Sequence, residues 1–257
     1  MAKFNLNTEK MQNGVYILSE IDDQFESDYI KLREKEKRIY SDEEVSKLPF
    51  ASISNPHKYE WNMRANSFLR FKKYLNTKKE KQNILDLGCG NGWFSGNLLK
   101  DFNHSFYCVD VNITELKQGA RVFESEEVKF IYADIFSADL PKEYFDFIIL
   151  NASVQYFPDI KKLLPQLFKL VMLNGEIHIV DSPFYSEIET TNAKKRTKDY
   201  YSKLNFPEMA EYYHHHSFST LKDFKVKVLY NPSSFKNKMK KLALFNESPF
   251  HWIVIRK

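Results

Sequence analysis

From residue 83 the chain alternates short apolar runs with longer amphipathic stretches. Asn83–Leu87 (NILDL) predicts a strand; a glycine cluster follows, and then WFSGNLLKDF, which reads as a helix. Ser105–Asp110 (SFYCVD) predicts a second strand, ITELKQGARVFES a second helix, and Val128–Tyr132 a third strand. Tyr144–Leu150 (YFDFIIL) is nearly all apolar, as suits a strand covered on both faces of a parallel sheet. Ile160–Leu173 has helical periodicity and stops at Asn174-Gly175, a C-terminal helix signal; Gly175–Asp181 (GEIHIVD) is then a fifth strand. This alternation predicts βαβ units with right-handed crossovers, hence an α/β fold with a mostly parallel sheet and helices on both faces.

The pattern breaks after Asp181. Residues 184–220 are polar and aromatic without a clear strand, while Lys225–Tyr230 and Phe250–Arg256 read as two more strands around a short basic helix near Ser234–Leu244. The first eighty residues also differ. The charged stretch DDQFESDYIKLREKEKRIYSDEEV predicts a solvated helix, LPFASISNP a loop, and His57–Leu75 a further helix. The expected organisation is an N-terminal helical extension (1–80) on a main domain (81–257) that carries an insertion at 184–218.

Composition narrows this picture little. The net charge of +4 is spread along 257 residues, without the concentrated basic stripe of a nucleic-acid binder. Two cysteines, Cys89 and Cys108, make neither a disulfide framework nor a zinc spacing, and both sit in apolar runs as buried thiols. The N-terminal MAKFNLNTEKMQNG lacks the apolar core of a signal peptide, and no run approaches the ~18 apolar residues of a membrane span. A cytoplasmic protein with no membrane partner is expected.

The strongest chemical signal is ILDLGCGNG (Ile84–Gly92), placed between a strand and a helix. Gly88, Gly90 and Gly92 permit a tight turn with close backbone approach to a ligand, and the following helix points free amides at it. Asp86 stands inside the strand, and Asp110 ends the next one, 22 residues after Gly88, close to the spacing of a ribose-binding acid. Trp93 stands where a dinucleotide site would want its third glycine, so a cofactor without phosphates fits better.

On these residues the chain resembles the class I S-adenosylmethionine (SAM)-dependent methyltransferases, over roughly residues 80–182. ILDLGCGNG is similar to their first motif, and YCVDV (Tyr107–Val111) to their ribose-binding strand end. YADI (Tyr132–Ile135) resembles the motif whose acid, here Asp134, contacts the adenine amino group. FDFIILNASVQYFPD (Phe145–Asp159) and LNGEIHIVD match the fourth- and fifth-strand motifs. The resemblance implies a Rossmann-like seven-stranded sheet with its last strand antiparallel, SAM as cofactor and S-adenosylhomocysteine as product. Its cofactor wall would be Asp86, Gly88, Cys89, Gly90, Asn91, Gly92, Trp93, Asp110, Val111, Asp134 and Ile135. The nearest type is the small-molecule group that includes quinone-biosynthesis enzymes, with Gln155-Tyr156-Phe157 after the fourth strand. The NPPY-type signature of many base and glutamine N-methyltransferases is absent, because Asn151 is followed by Ala-Ser-Val.

Several residues admit two readings. Trp93 suits core packing as well as a cofactor wall. Asn151 and Gln155 lie at the carboxyl edge of the sheet, where open α/β sheets bind ligands, and would meet SAM or substrate. Arg64, on the His57–Leu75 helix, would pair with the SAM carboxylate or an acidic substrate if that helix lids the site; otherwise the helix packs on the sheet. His214, His215 and His216 point in different directions on any regular element, so no metal is expected. His214, His215, His216 and Tyr156 are candidate bases, with Asp181 and Glu187 behind them. The aromatic insertion would face the acceptor. The expected activity is methyl transfer to a small molecule. The alternatives are an RNA- or protein-directed enzyme, hinted at by FKNKMKK (Phe235–Lys241), and a non-catalytic scaffold.

Overall fold

The computed structural model describes residue 4 and residues 6–242 and 246–257. In chain order its regular elements are β1 (Met11–Gln12), β2 (Val15–Ile17), α1 (Asp23–Lys35), α2 (Asp42–Lys47), α3 (Lys58–Leu75), β3 (Asn83–Leu87), α4 (Trp93–Leu99), β4 (Ser105–Asp110), α5 (Ile113–Val122), β5 (Val128–Tyr132), β6 (Phe145–Asn151), α6 (Ile160–Leu170), β7 (Val171–Val180), β8 (Phe184–Tyr185), α7 (Glu187–Leu204), β9 (His216–Ser217), β10 (Lys225–Tyr230), α8 (Phe235–Leu242) and β11 (Trp252–Arg256).

The main sheet runs β1-β2-β5-β4-β3-β6-β7-β11-β10. From β2 to β7 neighbouring strands are parallel, while β11 is antiparallel to both β7 and β10. The expectation of seven strands is therefore corrected to nine. The two additions come from the N-terminal stretch that read as helical and loop. Asn13 and Gly14 both adopt positive φ (49° and 82°), turning β1 back on β2, and β2 then adds to the free edge of β5 through Val15↔Phe130 and Tyr16↔Ile131.

The α6–β7 junction differs as well. The helix stops at Leu170, three residues before the expected end, and Val171 already pairs with Phe145. Gly175 lies inside the strand rather than capping a helix. A Cβ there would stand 2.9 Å from the Asp146 carbonyl oxygen and 2.6 Å from Val171 Cγ2, so the glycine lets β7 pass β6 across a register shift. The insertion, expected to lack strands, holds the two-residue parallel pair β8–β9, too short to show as a pattern, and the helix α7, opened by a Ser186–Glu189 capping box. The expected basic helix starts at Phe235, and positions 243–244 of that expectation lie outside the described residues.

Period-two alternation along the buried strands sorts side chains onto two faces. Ile84, Phe106, Cys108 and Phe147 face a layer in which α3 supplies Trp61, Phe68, Phe71 and Leu75 and α4 supplies Trp93 and Phe94. Leu85, Leu87, Tyr107 and Val109 face the other way, towards Leu163, Leu164 and Leu167 of α6. Phe71 is fully buried, with ring centroids 5.3 Å from Phe94, 5.3 Å from His178 and 5.7 Å from Trp252. It joins α3 to both the central and the antiparallel strands. Phe71→Ala is expected to cost about 3–5 kcal/mol and to lower the thermal midpoint by roughly 10 °C, as read by circular dichroism melting.

Candidate active site

A loop with little room for side chains lies at the carboxyl end of the central strand. Gly88 and Gly90 adopt φ of 72° and 55° between β3 and α4. A Cβ on Gly88 would fall 2.5 Å from Ser153 Cβ, and one on Gly90 2.9 Å from the Glu115 carboxylate. Gly88 therefore requires glycine for conformation and for space, and Gly90 for conformation, since the Glu115 carboxylate is the far end of a flexible side chain. The Gly88 amide donates to the Val109 carbonyl at 2.8 Å, which binds the loop to the neighbouring strand β4.

Asp110, at the end of β4, completes the turn. Its Oδ2 accepts from the Gly90 amide at 2.7 Å, and its Oδ1 accepts from the amides of Val111 (2.8 Å) and Asn112 (3.0 Å). Burial pushes the Asp110 carboxyl above the usual range; these amides oppose that shift. Burial also pushes Glu115 up to about 7, although Arg33 opposes it.

These groups line a cavity of about 260 Å³. Of the residues singled out from sequence, Gly88, Cys89, Gly90, Asn91, Trp93, Asp110, Val111, Asp134, Ile135, Asn151, Gln155, Tyr156 and Arg64 all stand on its wall. Trp93 does both jobs open to it, packing edge-on to Trp61 at 5.3 Å as well as lining the cavity. The Oδ1 of Asn151 and the Oε1 of Gln155 are buried without a hydrogen-bond partner among the described residues. Two unsatisfied acceptors beside a glycine cradle suit a ligand that brings donors, as an amine or ribose hydroxyls would.

Four residues stand elsewhere. Asp86 is 1% exposed and points under α4, where its Oδ2 accepts from Ser95 Oγ at 2.7 Å. Gly92 is the N-cap of α4 and lies against the Phe130 ring rather than the cavity. His214 and His215 are off the cavity walls. The His214 amide donates to the Gln155 carbonyl at 2.7 Å, and the His215 ring meets Thr197 Oγ1 at 2.9 Å. Burial lowers the pKa of both rings. The third histidine, His216, is turned to the Val154 carbonyl at 3.2 Å. Among the described residues no group of three His, Cys, Asp or Glu could hold a metal, and no helix is long and apolar enough to cross a membrane.

The N-terminal segment supplies walls that sequence reasoning missed. Tyr29 and Arg33 of α1, Arg38, Tyr40 and, from α5, Glu115 complete the cavity. The helix α1 is held there by Glu26, whose carboxylate accepts from the Thr114 amide at the start of α5 at 2.8 Å. Glu26, Tyr29 and Arg33 share one helical face at i, i+3 and i+7, a signal masked by the charge around it. A second cavity of about 620 Å³ adjoins the first and shares Tyr29, Arg33, Arg38, Arg64, Gln155 and Tyr156 with it.

Residues 84–175 match the family model described as a methyltransferase domain. Over those residues the chain is similar to methyltransferase domains, and the strand order and the glycine–acid loop agree with that match. Among curated relatives, an uncharacterised methyltransferase of Mycobacterium tuberculosis is 29% identical over 99 residues, 38% of this chain and 50% of that protein. A trans-aconitate 2-methyltransferase of Enterobacter sp. is 37% identical over 105 residues, 39% of this chain and 41% of the relative. The chain thus spans about half the length, or less, of the curated relatives it matches. A Haloferax volcanii protein solved with the Trm112 methyltransferase activator shares the fold with TM-score 0.56 at 11% identity, covering 92% of this chain and 99% of its own.

Asp86 generates a pH prediction. Burial raises its carboxyl to about 7, so between about pH 4, its unfolded value, and about pH 7 the folded chain holds a proton the unfolded chain has lost. This one group therefore makes stability fall as pH rises through that window. Asp86→Asn is expected to show a smaller loss of urea midpoint from pH 5 to pH 8 than the wild type, an effect read as the difference between the two proteins.

Proposed function

We propose that the first cavity binds SAM and that the chain transfers its methyl group to a small-molecule acceptor seated in the second. The observation that carries this reading is the cradle of Gly88 and Gly90 closed by the Asp110 carboxylate. In this reading the Gly88–Gly90 backbone faces the methionine part. Asp110 accepts from the ribose hydroxyls, and Asp134 and Ile135 border the adenine. Asn151 Oδ1 and Gln155 Oε1, the two orphaned acceptors, take up the remaining donors.

SAM supplies a methyl group on a sulfonium that leaves readily. The chain's own residues then have three tasks. The paired cavities hold the acceptor atom in line with the methyl group, so orientation provides much of the acceleration. Tyr156, shared by both cavities, and Gln155 separate the two ligands and set that line. Tyr29 and Arg33 roof the cavity against water. His214 and His215, off both walls, are poorly placed as bases, whereas Asp181 lies on the acceptor wall. Support for a small acceptor comes from the second cavity, of about 620 Å³, and from the trans-aconitate relative.

Calorimetry with SAM and with S-adenosylhomocysteine tests the cofactor. The wild type is expected to bind both. Asp110→Ala, which removes a charged acceptor, is expected to weaken both roughly 10- to 100-fold while the fold is kept. Equal affinity in the two proteins would place the cofactor elsewhere.

A further inference from the structure

The second cavity is built for charge. Four guanidinium groups, those of Arg33, Arg38, Arg64 and Arg196, line it against three carboxylates, Glu36, Glu60 and Asp181. Burial works against ionisation of Glu60, yet Arg64 and Arg38 outweigh it and hold its carboxyl down to about 2. Arg64 reaches Glu60 Oε1 through Nε at 3.0 Å and Nη2 at 2.9 Å. Glu36 is engaged from two sides, by Arg33 at 3.2 Å and by the Tyr200 hydroxyl at 2.6 Å.

Asp181 is the weakest counterweight. It is 9% exposed, and its Oδ1 accepts from Ser67 Oγ and Ser248 Oγ, both at 2.7 Å. Its Oδ2 is buried with no hydrogen-bond partner among the described residues, and burial pushes the carboxyl up. On the cationic side, Arg33 Nε is likewise buried without a partner among the described residues. Around these groups stand Tyr156, Tyr201 and Tyr213, whose phenols burial pushes up and so keeps protonated as donors. A cleft with surplus positive charge and converging donors favours a ligand that brings negative charge and acceptor oxygens.

We propose that the second cavity recognises its methyl acceptor as a small organic anion, a carboxylate or a phosphate monoester, gripped by Arg64 and Arg196 with Arg33 behind them. This rests on the reading of the chain as a methyltransferase and names the chemical class of its acceptor. Arg64 lines both cavities and so sits at the seam where acceptor and cofactor meet. Arg196, on α7 of the insertion, lines the second cavity only, which gives the insertion its part in acceptor choice.

The test is calorimetry on the full chain saturated with S-adenosylhomocysteine, titrated with succinate, citrate, inorganic phosphate and glycerol phosphate. Succinamide and glycerol serve as uncharged counterparts. At least one anion is expected to bind where its uncharged counterpart does not, and whether a carboxylate or a phosphate binds identifies the source of the charge. Arg64→Gln and Arg196→Gln are expected to weaken that binding about tenfold or more. Asp181→Asn, which removes a negative charge but keeps an acceptor for Ser67 and Ser248, is expected to tighten it about threefold. A merely structural role for the arginines would not give opposite signs at these positions. If S-adenosylhomocysteine itself fails to bind the wild type, the methyltransferase reading falls and the proposal with it. If it binds and no anion does, or if anion affinity ignores both arginines, the acceptor proposal alone is overturned.

Discussion

The structure hangs on the contact between Gly88 and Ser153. With a Cβ on Gly88 the two side chains would be 2.5 Å apart, so the loop after β3 can lie where it does only because position 88 is bare. Ser153 in turn donates its hydroxyl to the Leu87 carbonyl at 2.7 Å, which ties the segment after β6 to the last residue of β3. From the other side, Asp110 at the end of β4 takes the Gly90 amide. Three neighbouring strands, β4, β3 and β6, are thereby joined at one point by hydrogen bonds that leave no room for side chains. The space above that point is the first cavity.

Around this fixed floor the walls come from distant parts of the chain. The N-terminal residues form part of the cavity wall. They extend the sheet at β5, cap α5 through Glu26, and bring Tyr29, Arg33 and Arg38 over the cavity. The Gln118 side-chain amide donates from Nε2 to the Tyr40 carbonyl at 2.7 Å, and Arg121 pairs with Asp42 at 3.1 Å, so α5 holds α2 and the loop before it in place. The two cavities differ in character. Arg33, Arg38 and Arg64 line both, while Gly88, Gly90 and Asp110 line the first alone and Arg196, Glu60 and Asp181 the second alone.

How much of this could be read from the residues depended on the range of the interaction involved. The strands Asn83–Leu87, Ser105–Asp110 and Val128–Tyr132 have the limits their apolar runs predict, because burial on a sheet imposes its own period, and the exposed edge strand Lys225–Tyr230 has the limits its alternation of Lys and Val predicts. The Asn13-Gly14 turn was a legible hairpin signal too, but strands of two and three residues carry no periodicity to support it. At Gly175 the local signal misled. Asn-Gly after an amphipathic run is a sound helix stop, yet here the glycine answers to the Asp146 carbonyl of a neighbouring strand, which only the sheet brings near.

By itself, then, the sequence determined the alternation of strands and helices from residue 83 to Asp181, the glycine loop and the acid 22 residues beyond it, since each depends on neighbours in the chain or on a simple period of burial. Only the tertiary structure decided which acids face the cavity. Asp86 and Asp110 look equivalent in sequence, but the pleat turns Asp86 under α4 to Ser95 and leaves Asp110 at the strand end against the Gly90 amide. It also decided that a charged N-terminal helix roofs the site and that arginines from α1, α3 and α7 surround one cavity. Contacts between residues more than a hundred positions apart depend on how whole layers dock, and no local spacing in the chain records that.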